Sequence, residues 1–212
     1  MICVPIKSGD ENEVLKTFKE CQKNDMVDLT ELWLDDLKLA GKSQNFLEKI
    51  AHNKKKKIIY KSYGDLIKIE RIFKNIKIDF IDLDIKTKKS AISKVKKMSP
   101  STKIIISYHN FEKTPETRAL KAIAKKISNM GADIIKIATY ANSNKDSLNI
   151  LKLLNDLTNS GNKAICIAMG KKGIFLRAAG HLFGNYLMYA PLKRTKKTAP
   201  GQLTVSEICR LK

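Results

Sequence analysis

Eight short apolar runs recur about every 25 residues along the chain, and amphipathic stretches fill the gaps between them. The runs are Ile2 to Ile6, Met26 to Leu34, Ile58 to Tyr60, Ile78 to Ile85, Lys103 to Tyr108, Ala132 to Ala138, Ala164 to Met169 and Tyr186 to Ala190. Several are continuous rather than alternating, as in Ile104-Ile105-Ile106 and Ile134-Ile135, the pattern of strands buried on both faces of a parallel sheet. The spacers read as helices. Glu11 to Lys23 sets Val14, Leu15, Phe18 and Cys21 at helical spacing. Pro115 to Met130 opens on Thr114-Pro115-Glu116, a capping residue followed by a proline of the first turn, and stops at Gly131. Ser147 to Leu157 repeats the scheme before Gly161, and Thr204 to Leu211 reads as a last short helix.

Strand–helix alternation of this kind specifies a closed (β/α)8 barrel or a doubly wound open sheet. The count of eight favours the α/β barrel of the TIM type, and 212 residues lies at the short end of its range. No glycine-rich dinucleotide fingerprint follows the first run, where the chain reads Pro5-Ile6-Lys7-Ser8-Gly9-Asp10, and this weakens the open nucleotide-binding sheet. With no linker and no low-complexity tract, residues 1–212 read as a single domain.

The formal net charge of +20 raises the question of a nucleic-acid partner. The distribution argues against one. Lysines recur in nearly every helix-like segment and fill Lys54 to Lys57, while aromatic residues make up only 7% and do not alternate with them. The charge reads as a solvated surface whose field would steer a small anion inward. No apolar stretch approaches the ~18 residues of a membrane span, and the N-terminus lacks the pattern of a secretory signal. Cys3, Cys21, Cys166 and Cys209 form no C-x-x-C pair, and His52, His109 and His181 show no metal-ligand spacing, so no metal is expected. The default compartment is a reducing cytoplasm.

In a parallel barrel the chemistry sits at the C-terminal ends of the strands. Lys136 stands out in Ala132-Asp133-Ile134-Ile135-Lys136-Ile137-Ala138, a run too apolar to solvate an ammonium. Desolvation would lower its pKa and supply a free amine able to form a Schiff base, whereas a lysine on an edge strand would simply snorkel to water. His109 ends Lys103-Ile104-Ile105-Ile106-Ser107-Tyr108-His109 on the neighbouring strand, where an imidazole and an amine could face one substrate. Arg177, in Gly173-Ile174-Phe175-Leu176-Arg177, calls for an anion, either a ligand or an internal partner. Thr198-Ala199-Pro200-Gly201-Gln202 reads as a turn opening the last helix, with a hydroxyl, an amide and N–H groups suited to a carboxylate, or as a plain N-cap. Glu31 and Asp65 each follow an apolar run and could orient a hydroxyl or a histidine, although solvated carboxylates are common at such places.

Ser107-Tyr108-His109-Asn110-Phe111-Glu112-Lys113-Thr114-Pro115 resembles the histidine segment of type I 3-dehydroquinate dehydratases, and Gly131 to Ala138 resembles their Schiff-base lysine strand. Ala168-Met169-Gly170-Lys171, Arg177-Ala178-Ala179-Gly180 and Ala199-Pro200-Gly201-Gln202 are similar, in order, to the closing segments of the same family. The resemblance covers essentially the whole chain. It implies a (β/α)8 barrel, usually homodimeric, that dehydrates 3-dehydroquinate in the shikimate pathway without metal or cofactor. By the same resemblance Lys136 forms the imine, His109 moves the proton, and Asp65 falls where a glutamate commonly supports the histidine. Arg177, Gln202 and Thr198 hold the substrate carboxylate, Thr198 replacing a usual serine. Met169 and Phe111 wall the pocket, and Glu31 binds substrate hydroxyls. Two departures stand in the hydroxyl-binding part: Trp33 and Lys61 occupy positions where the family usually has arginines, and a lysine lacks the bidentate fork. Two other readings compete. One is a class I aldolase-like Schiff-base barrel. The other is a non-catalytic basic relative that binds nucleic acid, its pocket closed by Trp33.

Overall fold

The computed structural model describes residues 1–36, 43–63, 70 and 76–211. Eight strands, all parallel, form one sheet: β1 (Ile2–Ile6), β2 (Leu29–Trp33), β3 (Lys57–Ser62), β4 (Phe80–Asp84), β5 (Lys103–Asn110), β6 (Ile134–Tyr140), β7 (Ala164–Met169) and β8 (Met188–Tyr189). They run in sequence order from β1 to β7, and β8 lies against β1. The Tyr186 N–H just before β8 donates to the Ala164 carbonyl at the start of β7 (2.8 Å), which brings the two ends of the sheet together. This is the barrel expected from the eight apolar runs.

Among the described residues the helices are α1 (Glu11–Lys23), α2 (Ser43–His52), α3 (Lys89–Met98), α4 (Thr117–Asn129), α5 (Asn144–Asn159), α6 (Ile174–Ala179) and α7 (Val205–Cys209). Local chemistry fixes their starts. Asp10 caps α1, and Ser143 with Asp146 and Thr204 with Glu207 form capping boxes on α5 and α7. Helix α4 starts later than its Thr114-Pro115 signal suggests, because the Thr114 hydroxyl donates instead to the Tyr140 carbonyl (2.9 Å).

The core has two shells with different jobs. Outward-facing strand residues pack under the helices: Ile2, Val4, Leu32, Ile58 and Tyr60 meet Val14, Phe18, Leu47 and Ile50, while Ile104, Ile106, Ile135 and Ile137 meet Leu120, Ala124, Ile150 and Leu154. Inward-facing residues fill the barrel in layers drawn from alternate strands, as period-two alternation and barrel stagger require. Leu29, Phe80, Ile134 and Leu187 come from the even strand positions, and Cys3, Ile59, Ile105 and Ile165 from the odd ones. Two residues further along the even set, the side chains are Glu31, Asp82, Lys136 and Tyr189. The barrel therefore ends its apolar filling on one polar layer.

Candidate active site

That polar layer is a hydrogen-bonded cluster. Lys136 Nζ donates to Asp82 Oδ2 (2.6 Å), Glu31 Oε1 (3.0 Å) and the Tyr189 hydroxyl (2.9 Å), so each of its three N–H bonds has a partner. The Tyr189 hydroxyl in turn donates to Glu31 Oε1 (2.8 Å). Lys61 on β3 adds a second ammonium 3.3 Å from Asp82 Oδ2. Lys61, Asp82, Glu31 and Lys136 are all at most 4% exposed, and their two positive and two negative charges cancel. Burial of single charges at this depth would be prohibitive, and mutual pairing makes it tolerable.

This geometry corrects one expectation. Burial by itself pulls the Lys136 pKa down, but Asp82 and Glu31 outweigh it and hold the amine above its ordinary value. The resting nitrogen is an ammonium, and a run of isoleucines on one strand gave no view of carboxylates arriving from two others. Asp82 experiences the converse: burial raises its pKa, yet Lys136 and Lys61 bring the carboxyl well below the usual range.

His109 lies on the inward parity of β5 above this layer, stacked on Phe111 with ring centroids 5.9 Å apart. Burial, then the positive charges of Lys61 and Lys136, push its pKa down to about 3. It is thus a neutral imidazole at physiological pH, ready to accept a proton. Phe111 is largely exposed and Met169 buried, and both border the cleft.

The opposite wall is built by a close approach of two loops. The Gly170 N–H after β7 donates to the Pro200 carbonyl (3.1 Å), and a Cβ on Gly201, whose φ is +74°, would collide with the Gly170 carbonyl oxygen. This contact lays the 198–202 turn over the barrel mouth. Arg177 on α6 donates from one terminal nitrogen to Pro200 O (3.2 Å), while its buried Nε has no hydrogen-bond partner among the described residues. Burial lowers its pKa only to about 10, so the guanidinium stays charged at neutral pH. No internal acid neutralises it among the described ion pairs, which leaves the anion reading. The turn differs from the expected anion-binding N-terminus: α7 begins later, at Val205, and the N–H groups of Thr198 and Ala199 already donate to Gln202 Oε1 (2.7 and 3.2 Å). Gln202 Nε2 donates to the Thr198 hydroxyl (3.2 Å).

Trp33 closes the remaining side. Its indole N–H donates to Glu31 Oε2 (2.9 Å), and the ammonium groups of Lys7 and Lys61 lie 4.7 and 5.2 Å from the ring centroid. The indole is thus held between two ammoniums and a carboxylate on the lining of the cleft. Glu31, Trp33, His109, Lys136, Arg177, Thr198 and Gln202 all border a single cleft, whose volume of about 50 Å³ is small beside the ~300–1,000 Å³ of typical small-molecule sites. Lys61 meets the site through Asp82 and the Trp33 ring. Asp65 lies outside the described residues.

Asp82 and Tyr189 were not picked out from the sequence. Asp82 carries the same signal as Lys136, an ionisable side chain in the middle of the apolar run Phe80-Ile81-Asp82-Leu83. Tyr189 in Leu187-Met188-Tyr189-Ala190 looks like an ordinary core aromatic.

Residues 2–211 match the model of the type I 3-dehydroquinase family. The chain belongs to that family. It is 36% identical to a 3-dehydroquinate dehydratase of Methanocaldococcus jannaschii over 228 residues, covering 100% of this chain and 98% of the relative. Among solved structures, the 3-dehydroquinate dehydratase of Aquifex aeolicus superposes with a TM-score of 0.78 at 28% identity, covering 100% of this chain and 96% of that one. A type I dehydratase from Clostridium difficile, solved with covalently modified comenic acid, reaches a TM-score of 0.86 at 23% identity over 99% of this chain and 90% of its own, a likeness of fold. Within the type I 3-dehydroquinase frame, the buried cluster and the cleft occupy the C-terminal mouth of the barrel, where the fold places its chemistry.

Proposed function

We propose that the protein is a 3-dehydroquinate dehydratase, a hydro-lyase of the shikimate pathway that converts 3-dehydroquinate to 3-dehydroshikimate and water through an imine on Lys136. The family match over residues 2–211 carries the reaction class. The observation that supports the covalent route is the three-partner cage around Lys136 Nζ. A protonated imine carries the same single positive charge as the resting ammonium, so the carboxylates that stabilise one charge already stand beside the other, while the imine keeps one N–H of the three.

The residues divide the work as follows. Lys136 condenses with the C3 ketone and water leaves. The iminium draws electrons from the adjacent C2–H bond. His109 takes that proton and returns one to the C1 hydroxyl as it departs. Arg177, with Gln202 and Thr198, holds the carboxylate and so sets C2 beside His109, with Phe111 and Met169 walling the ring. Glu31, Trp33 and Lys61 meet the hydroxyl side, and Asp65 is assigned to support His109. No step calls for a metal or cofactor. The surplus positive charge steers the anionic substrate to the mouth.

The chain reads as one domain over residues 1–212, because a single interior is shared by all eight strands. We assign it a homodimeric state. Supporting this, α5, α6 and the turn after α6 pack together and each expose apolar side chains: Leu148, Ile174, Phe175, Leu182 and Phe183. We place it in the cytoplasm, in keeping with four free thiols, three of them buried, and a biosynthetic role. No helix among the described residues is long and apolar enough to cross a membrane.

The test is direct. Purified protein mixed with 3-dehydroquinate should generate the ultraviolet absorbance of a conjugated enone. Turnover of sugar phosphates without that absorbance would favour the aldolase-like reading, and salt-dependent binding to RNA or DNA without it would favour the non-catalytic one.

A further inference from the structure

Forming an imine from an ammonium requires a proton to leave nitrogen and a proton to reach the departing carbonyl oxygen. His109, the base assigned to C2, sits above the polar layer on β5. The nitrogen itself is in a closed triangle with two other groups: Lys136 Nζ to Tyr189 OH is 2.9 Å, Tyr189 OH to Glu31 Oε1 is 2.8 Å, and Lys136 Nζ to Glu31 Oε1 is 3.0 Å. Tyr189 is the one neutral member, and a hydroxyl can accept and donate at once. Tyr189 lines the cleft with Lys136 and Glu31, and its hydroxyl touches both the nitrogen and the carboxylate.

We propose that Tyr189 is the proton-transfer residue of imine formation, drawing its proton from Glu31 and delivering it to the oxygen that leaves C3. This deepens the dehydratase reading and rests on Lys136 forming the imine. The ammonium first gives a proton to Glu31 Oε1, leaving a free amine and a carboxylic acid. The nitrogen lone pair then bonds to C3 while the carbonyl π pair moves onto oxygen. With Glu31 now protonated, the hydrogen bond in the triangle reverses: Glu31 donates to the Tyr189 oxygen, and the Tyr189 O–H is released to turn toward the substrate oxygen. It relays one N–H proton to that oxygen, giving the neutral carbinolamine. In the second transfer Tyr189 protonates the hydroxyl, the C–O bond breaks, the nitrogen lone pair forms C=N, and Glu31 returns a proton to Tyr189. The sum is ammonium plus ketone giving iminium plus water, with Glu31 a carboxylate at both ends. Burial and the neighbouring Glu31 charge raise the Tyr189 pKa, which keeps the group a phenol between transfers.

The experiment is a single turnover with 3-dehydroquinate, quenched in borohydride at successive times, the adduct mapped by mass spectrometry. In Tyr189→Phe the ring stays, and the hydroxyl is lost together with its hydrogen bonds to Lys136 and Glu31. Adduct on Lys136 should accumulate about 10²-fold more slowly than in the wild type. Any kinetic isotope effect of C2-deuterated substrate on kcat should shrink toward unity, because imine formation then limits; a packing defect would not move it. Glu31→Gln, which keeps a hydrogen-bond partner but cannot carry the proton, should show the same slow phase and serves if the phenylalanine variant does not fold. Adduct forming on Lys136 at the wild-type rate in these variants overturns the inference alone. Absence of a Lys136 adduct in the wild type overturns it together with the imine reading.

Discussion

Lys136 Nζ stands 2.6 Å from Asp82 Oδ2 at a level of the barrel where neither side chain reaches solvent. The two residues are 54 positions apart and lie on alternate strands. Asp82 also carries Lys61, so one carboxylate anchors two buried cations. Asp82→Asn should leave two ammoniums sharing Glu31. We expect a stability loss of about 3 kcal/mol, the usual cost of breaking a buried pair, together with loss of activity. Urea denaturation read by circular dichroism measures it. A variant as stable as the wild type would show that Asp82 does not hold the cluster.

His109 gives the protein a pH signature. The group titrates near 6.5 in the unfolded chain and near 3 when folded, so the unfolded state binds more protons between those values. Stability due to the neutral imidazole is present above pH 6.5 and is lost as pH falls toward 3, at no more than about 1.4 kcal/mol per pH unit. His109→Asn removes that component. The difference between the two stability curves should therefore be flat above pH 6.5 and slope below it. A difference curve with no slope would mean that the ring titrates normally in the fold.

Arg177 should act on binding more than on chemistry. Its unpartnered buried Nε and fixed fork suit a carboxylate. Arg177→Lys keeps charge but not the fork, so KM should rise about 10-fold or more with a smaller change in kcat. Steady-state kinetics decide it. A fall in kcat at unchanged KM would move Arg177 out of the clamp.

Trp33 is the only tryptophan in the chain, and it sits in the cleft between Lys7 and Lys61 with its indole N–H on Glu31. Its emission should report ligand entry. Lys136→Ala, unable to form the imine, should still show a saturable fluorescence change with 3-dehydroquinate. Emission that ignores the ligand in both proteins would place the substrate away from β2.

The architecture was legible in the sequence because inward- and outward-facing strand residues are both apolar in a barrel, leaving eight unbroken runs that helices must separate. Lys136, His109, Arg177 and the 198–202 turn were legible because each breaks or ends such a run. What sequence could not show is cross-barrel partnership. Burial of Lys136 is visible in its own strand, but the carboxylates that reverse its pKa shift arrive from β2 and β4. The same blindness hid Asp82, which interrupts β4 as clearly as Lys136 interrupts β6 and whose partners all lie on other strands. Tyr189 was hidden because a tyrosine in a core looks alike whether or not its hydroxyl has work. The 198–202 turn was read as a helix start because its backbone N–H groups looked free, whereas Gln202 folds back onto them.

The central claim is that Lys136 bonds covalently to substrate. The most direct measurement is borohydride reduction in the presence of 3-dehydroquinate, followed by peptide mapping. The account predicts one stable adduct, on the peptide carrying Lys136, and none in Lys136→Ala. An adduct on another lysine, or turnover with nothing trapped, would contradict it.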